Sequence, residues 1–198
     1  MNIISINTAS RYCSVSVSLS DNLEETIQSE STLSHSSELA VNVKNLIDKH
    51  NLKAEDLDFI IVNIGPGSFT GLRIGVSFAK GLSMSHNIPI VPINSFDIIL
   101  NKLNLELKSF FICIHSHKNY AYAQRYDDRN KTDSPKLINL DEKYNYPIYL
   151  VGLDTDSTDR FNHVSFNSAD LLEIGKTNIQ KNATNNLSSI RPLYIDYK

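Results

Sequence analysis

Ile3 to Asn7 is an almost unbroken apolar run, and Tyr12 to Leu19 alternates, with Cys13, Val15, Val17 and Leu19 on one face and Ser14, Ser16 and Ser18 on the other. A period of two predicts strands, the second of them half-buried. Ser20-Asp21-Asn22 supplies turn chemistry, so Leu23 to Glu30 is expected to return as the third strand of an antiparallel meander. The period then changes. From Ser37 to His50, residues Leu39, Val43, Leu46 and Ile47 fall at helical spacing, and Asn51 is able to end that helix in the left-handed conformation.

Phe59 to Ile64 reads as a buried strand, followed by the glycine stretch IGPGSFTGLRIG, a long helix from Phe69 to about His86, and a strand over Ile88 to Ile93. This is a β-loop-α-β unit, normally right-handed and parallel. Ser95 is placed to cap a further helix carrying Phe96, Ile99, Leu100 and Leu103. The second half opens like the first. At one constant offset Ile6 falls on Ile114 and Tyr12 on Tyr120, each unit giving an apolar strand, a five-residue polar connection and an alternating strand that begins with Tyr. PIYLVG at 147–152 then stands where FIIVNI stands in the first half, with an Asp-Thr-Asp stretch in place of the glycine loop. The order predicts a duplication, two lobes with similar sheets meeting near residues 95 to 110. The polar segments 127–134 and 176–189 read as loops or weakly ordered connections.

A chain of 198 residues, 41% hydrophobic, can bury one good core or two small ones. A net charge of -3 gives no global basic field, so avid, salt-dependent nucleic-acid binding by this chain alone is not expected. Cys13 and Cys113 both lie in apolar runs and are expected as buried reduced thiols, which fits a cytoplasmic location. MNIISIN lacks a basic region followed by a long apolar core, and no run of about 18 apolar residues occurs, so a soluble chain without a membrane partner is expected.

The chemistry concentrates at the glycine stretch. Gly65, Gly67, Ser68 and Thr70 lie between a strand and a helix, where free backbone N–H groups and the helix dipole favour an anion. The spacing matches neither G-x-x-x-x-G-K-[ST] nor G-x-G-x-x-G. Two readings stay open: a phosphate loop, or a turn at Pro66-Gly67 with Ser68 as the helix cap. Gly71, Gly75 and Ala79 share one row of the helix, and glycine there costs about 1 kcal/mol each relative to alanine. Close approach of another backbone is the reason, either the protein's own sheet or, the favoured use, a partner helix, with Ile74, Phe78 and Leu82 turned to the core. His35 is expected to belong to a helix start, His115 and His117 to share one face of a strand at the solvent edge, and Asp154, Asp156 and Asp159 to solvate a loop. No metal-ligand set stands out.

NIGPGSFTGLRIGVSFAKGL followed by IPIVPINS, with the opening IISINTAS and HSSEL, resembles the TsaB family. These are small non-catalytic subunits of the bacterial machinery that makes threonylcarbamoyladenosine next to the anticodon of certain tRNAs. The resemblance is strong over roughly residues 1 to 100 and weak beyond, where Arg191-Pro192-Leu193-Tyr194 is similar to the family's closing segment. It implies an α/β, actin-like ATPase fold of the ribonuclease H-like type, with two similar lobes of mixed sheets flanked by helices. Residues 1–100 would form the first lobe, with the glycine loop and partner-facing helices, and 101–198 a second, reduced lobe.

The resemblance further implies that the chain has no catalytic residues of its own. Its partner would be a TsaD-like catalytic subunit, with a TsaE-like ATPase joining through the complex, tRNA engaged indirectly, and a homodimer when the chain is alone. ATP and a metal are expected in the partner complex, not on this chain. The interface would use Ser37, Leu39, Val43, Phe69, Gly71, Leu72, Arg73, Gly75 and Ala79, and Gly65, Gly67, Ser68 and Thr70 would be a vestigial phosphate loop. Two departures mark the chain as divergent: Asn7 stands where the family usually has Asp, and His115-Ser116-His117 stands where the family has an Asp-Ala-Arg-like turn. PINSFDII offers Asn94 and Ser95 where TsaD-like chains continue to histidine, so the paired metal ligands of TsaD are missing. The alternatives are an independent nucleotide hydrolase of the same fold, which needs metal-positioning carboxylates that the two hairpins lack, and a metallopeptidase, which needs a ligand set.

Overall fold

The computed structural model describes residues 1–20, 23–30, 35–103, 108–152 and 160–195. The first sheet runs β3-β2-β1-β4-β5, built from β1 (Ile3–Asn7), β2 (Tyr12–Ser18), β3 (Glu24–Glu30), β4 (Phe59–Asn63) and β5 (Ile90–Ile93). The meander pairs antiparallel, with Ile4 opposite Val17 and Ile6 opposite Val15, while β4 and β5 add in parallel. Alternation then sorts the side chains. Ile4, Ile6, Ile60 and Val62 face a core completed by α1 (His35–Lys49) and α2 (Phe69–His86), through Leu39, Val43, Leu46, Val76 and Ala79. Ile3 and Ile61 face the other way, into a core shared with α3 (Ser95–Lys102), α4 (Ser168–Asn182) and the second sheet.

That second sheet runs β11-β10-β6-β7-β8, with β9 also paired to β7. Its strands are β6 (Ser109–His117), β7 (Tyr120–Asp127), β8 (Asn130–Lys131), β9 (Lys136–Asn139), β10 (Ile148–Val151) and β11 (Asn162–His163). As in the first sheet, an antiparallel hairpin is followed by a parallel strand, β10 beside β6. Phe110, Ile112, Ile114 and Tyr126 face the core shared with the first sheet, while Phe111, Cys113, Ala123 and Leu150 form a third cluster on the outer face. Both cysteines are free and buried. Among the described residues no helix is long and apolar enough to cross a membrane.

Four local expectations are corrected. Residues 176–182, read as a polar connection, are the second half of α4. Its start is a capping box, in which the Asn167 side chain accepts from the N–H groups of Ala169 and Asp170 while the Asp170 carboxylate accepts from Asn167 N at 2.9 Å. Its apolar stripe is diluted by Thr177 and Asn178, whose side chains bond back to the Ile174 carbonyl. The helix packs on the first sheet, so residues 168–182 sit against the first lobe's strands.

The serine face of β2 is the second correction, since Ser14, Ser16 and Ser18 are buried rather than solvated. The N-terminus of α4 covers them. Ser5 Oγ donates to the Ser168 carbonyl at 2.7 Å, Ser14 Oγ accepts from Ser168 N at 3.0 Å, and the Ser16 and Ser168 hydroxyls pair at 2.7 Å. Buried hydroxyls paired in this way avoid the roughly 1–3 kcal/mol penalty of an unmet donor or acceptor. Third, the cap of α3 is Asn94, whose Oδ1 accepts from Asp97 N, and Ser95 is the first helical residue. Fourth, the second hairpin has no five-residue connection. β6 runs on to His117 through an irregularity in register between His115 and His117, and Lys118, at φ 49°, turns the chain in two residues.

Candidate functional site

The glycine loop is held from four sides. Gly65 adopts φ +101°, a conformation that a side chain would strain. Its N–H donates to Asn63 Oδ1 at 2.8 Å, and its carbonyl accepts from Ser95 N at 2.7 Å. Ser68 N donates to the Ala9 carbonyl at 2.7 Å, and Leu193 N donates to the Ile64 carbonyl at 2.6 Å. Ser68 Oγ in turn accepts from Gly71 N at 3.2 Å, the cap that one sequence reading foresaw. Beneath the loop, Asn63 Nδ2 donates to Asn7 Oδ1 at 2.9 Å and Ser95 Oγ donates to Asn63 Oδ1 at 3.0 Å, all three residues being buried. The N–H groups of Gly65 and Ser68, which an anion would need, are thus engaged within the protein, and Thr70 stands exposed.

The small-residue row of α2 is an internal seam, which corrects its assignment to a partner interface. A Cβ on Gly71 or Gly75 would come closer than 3.0 Å to Thr8, and Ala79 and Leu72 are buried in the chain's own core. Leu39 and Val43 of α1 are buried likewise. Of the expected contact residues, Ser37, Phe69 and Arg73 are exposed. Sequence reasoning missed a second row at the same spacing, Ser77, Gly81 and Ser85, which faces outward. A Cβ on Gly81 would meet nothing within 4 Å. Ile74, Phe78 and Leu82, expected in the core, are only partly buried at its edge, together with Ile47 of α1, and Met84 is 73% exposed.

At the start of α2 an aromatic clasp closes over the loop. Arg73 lies 3.8 Å from the Phe69 ring centroid and donates through Nε to the Tyr194 hydroxyl at 3.0 Å, and the two rings stand 5.3 Å apart. Phe69 also borders a cleft of about 1440 Å³ between the lobes. The two hairpin ends line it, Ala9 to Tyr12 from one lobe and His115 to His117 from the other, joined by His163 on β11. His115 Nε2 is 2.8 Å from the Lys118 carbonyl, and His115 and His117, on either side of the register irregularity in β6, both line the cleft. Among the described residues no three His, Cys, Asp or Glu side chains come together as a metal site. Asp154, Asp156 and Asp159 lie outside the described residues. His35, at the start of α1, has its basicity lowered by burial, opposed by Glu38 and by a backbone bond at Ser10.

Two lobes with mixed sheets, each opened by a β-hairpin and followed by a parallel strand, define an actin-like ATPase type of fold. The solved structure of YeaZ from Pseudomonas aeruginosa superposes with a TM-score of 0.73 at 16% identity, over 98% of this chain and 99% of that one. The family profile described as TsaD, tRNA N6-adenosine threonylcarbamoyltransferase, matches residues 27–188, and the chain belongs to that family. Relatives aligned over much of its length carry the name tRNA threonylcarbamoyladenosine biosynthesis protein TsaB. One from Buchnera aphidicola subsp. Acyrthosiphon pisum is 27% identical over 65% of this chain and 58% of its own length. Another, from Bacillus subtilis, is 28% identical over 78% of this chain and 72% of its own length.

Proposed function

We propose that the chain is a non-catalytic scaffold and activator in cytoplasmic tRNA modification. It binds a TsaD-like catalytic subunit through the outward face of α1 and α2 and is required for transfer of a threonylcarbamoyl group to the tRNA adenosine next to the anticodon. The observation that carries the reading is the surface around Gly81. An exposed glycine inside a helix costs about 1 kcal/mol relative to alanine, and no contact among the described residues accounts for it. With Ser77 and Ser85 it makes a smooth strip beside the half-buried Ile74 and Phe78, a surface on which a second helix can lie at close range. In isolation the same strip suits a second copy of the chain, and a TsaE-like ATPase joins only through the complex.

ATP and its metal fit the chain poorly. Asn7 is buried and bonded to Asn63, and the other hairpin presents His115-Ser116-His117, so neither hairpin places a carboxylate where a phosphate-bound metal would need one. The nucleotide and metal are assigned to the partner complex. Two measurements test the reading. Co-purification with the TsaD-like subunit of the same cell should give a stable complex that modifies tRNA, which neither subunit does alone. Calorimetry of the isolated chain with ATP and magnesium should give binding no tighter than about millimolar, roughly -4 kcal/mol, and hydrolysis at background. Micromolar binding with turnover supports the independent hydrolase instead.

A further inference from the structure

We propose that the interlobe cleft binds an unpaired stretch of RNA, with bases stacked on aromatic side chains from both lobes. The tRNA-modification reading supplies the kind of nucleic acid, and this inference adds a direct contact where that reading requires only an indirect one. Cations and rings alternate around the cleft. Arg11 lies 4.8 Å from the Tyr12 ring centroid and Arg73 3.8 Å from that of Phe69, on the first lobe. On the second, Arg160 lies 5.5 Å from the Phe161 ring and the His117 ring stacks on Tyr120 at 5.5 Å and 26°. Tyr12, Phe69, Phe161 and His117 all line the cleft. Rings interleaved with cations are what sequence-tolerant binding of single strands uses, because every base has a face to stack while duplex bases are already stacked on each other.

Size and charge narrow the occupant. A cleft of about 1440 Å³ exceeds the roughly 300–1,000 Å³ of ordinary small-molecule sites, so a single mononucleotide would leave much of it unfilled. The full cations lining it are both partnered, Arg11 with Glu30 at 3.8 Å and Lys102 with Asp170 at 3.1 Å. The His163 imidazole adds a donor for a phosphate oxygen, whereas His115 Nε2 is taken by the Lys118 carbonyl and His117 Nδ1 pairs with Ser116 Oγ. Phosphate attraction is therefore small, stacking carries the affinity, and the net charge of -3 is no obstacle.

The test is fluorescence anisotropy of a labelled 12-nucleotide single-stranded RNA titrated with the whole chain. Saturable binding is expected, at least about tenfold tighter than to the same RNA annealed as a duplex. The salt dependence should be shallow, a log–log slope of about -1.4 for two phosphate contacts. Tyr12→Leu and Phe161→Leu keep apolar bulk and remove the ring, and each should weaken binding at least about fivefold with an unchanged circular dichroism spectrum. Lys53→Ala, at the opposite end of the first sheet, should have no effect. Absent or duplex-equal binding, ring variants that bind as the parent does, or displacement of the RNA by equimolar AMP would each overturn the proposal. No catalytic subunit is present in this assay, so a chain that fails here and still co-purifies with its TsaD-like partner loses this inference and keeps the proposed function.

Discussion

Thr8 Oγ1 donates a 2.7 Å hydrogen bond to the Gly71 carbonyl, pinning the end of β1 to the first turn of α2. The bond is possible only because the helix approaches bare. Four residues on, Gly75 meets the same threonine, and a Cβ there would intrude on Thr8 Oγ1. The glycine row is therefore a device for seating α2 on its own sheet.

Replacing Gly75 by Leu should consequently damage the isolated chain. Overpacking a tight seam costs about 1–3 kcal/mol, and here the Thr8 hydroxyl stands in the way, with Thr8 Cβ and the Ile6 side chain behind it. Thermal denaturation followed by circular dichroism should show Tm lowered by about 2–12 °C, at roughly 2–4 °C per kcal/mol for a chain of this size.

Gly81 should behave in the opposite sense. Gly81→Ala should raise stability by up to about 1 kcal/mol, because the site is an open helical surface. Gly81→Leu should leave Tm close to the parent value and abolish association with the TsaD-like subunit, as read by size-exclusion chromatography of the mixed subunits. Association at parental affinity would move the interface elsewhere.

The asparagine network under the loop gives a third expectation. Asn63→Leu removes the donor to Asn7 Oδ1 and the acceptor for both Gly65 N and Ser95 Oγ. Each stranded buried group costs about 1–3 kcal/mol, so the variant should unfold at markedly lower urea than the parent, or fail to accumulate as folded protein. A small shift in the urea midpoint would mean that water replaces the lost partners.

The thiols supply a fourth. Burial pushes Cys13 up to about 11, with Glu38 adding to the shift, and Cys113 up to about 12. At pH 8 neither forms appreciable thiolate, so a thiol-reactive dye should label neither in the native chain and both after denaturation. Rapid labelling of the native protein would place one of them at an opening segment.

Much of this architecture follows from short-range pattern. Alternation at Tyr12–Ser18, the helical spacing of Leu39, Val43 and Leu46, and the left-handed Asn51 after α1 are local signals, and the structure carries them as written. The glycine stretch and its flanks also point to the family, because few arrangements combine GPGSFTG with the strand before it and the small-residue helix after it.

Tertiary packing decided what periodicity leaves degenerate. Rows 71-75-79 and 77-81-85 have the same spacing and comparable small residues, and only the docking of α2 against Thr8 turned one inward and left the other to solvent. The serines of β2 are polar in sequence and buried in the fold, because α4 arrives from 150 residues away with a hydroxyl and a backbone pair to meet them. A hydrogen-bond partner that distant leaves no trace in local pattern. The sequence alone thus determined the strands and helices of the first lobe, the opening of the second and the family, whereas α4, the short strands β8, β9 and β11 and the direction each polar or small face takes were settled by long-range contacts, since burial depends on what lies opposite and not on what lies adjacent in the chain.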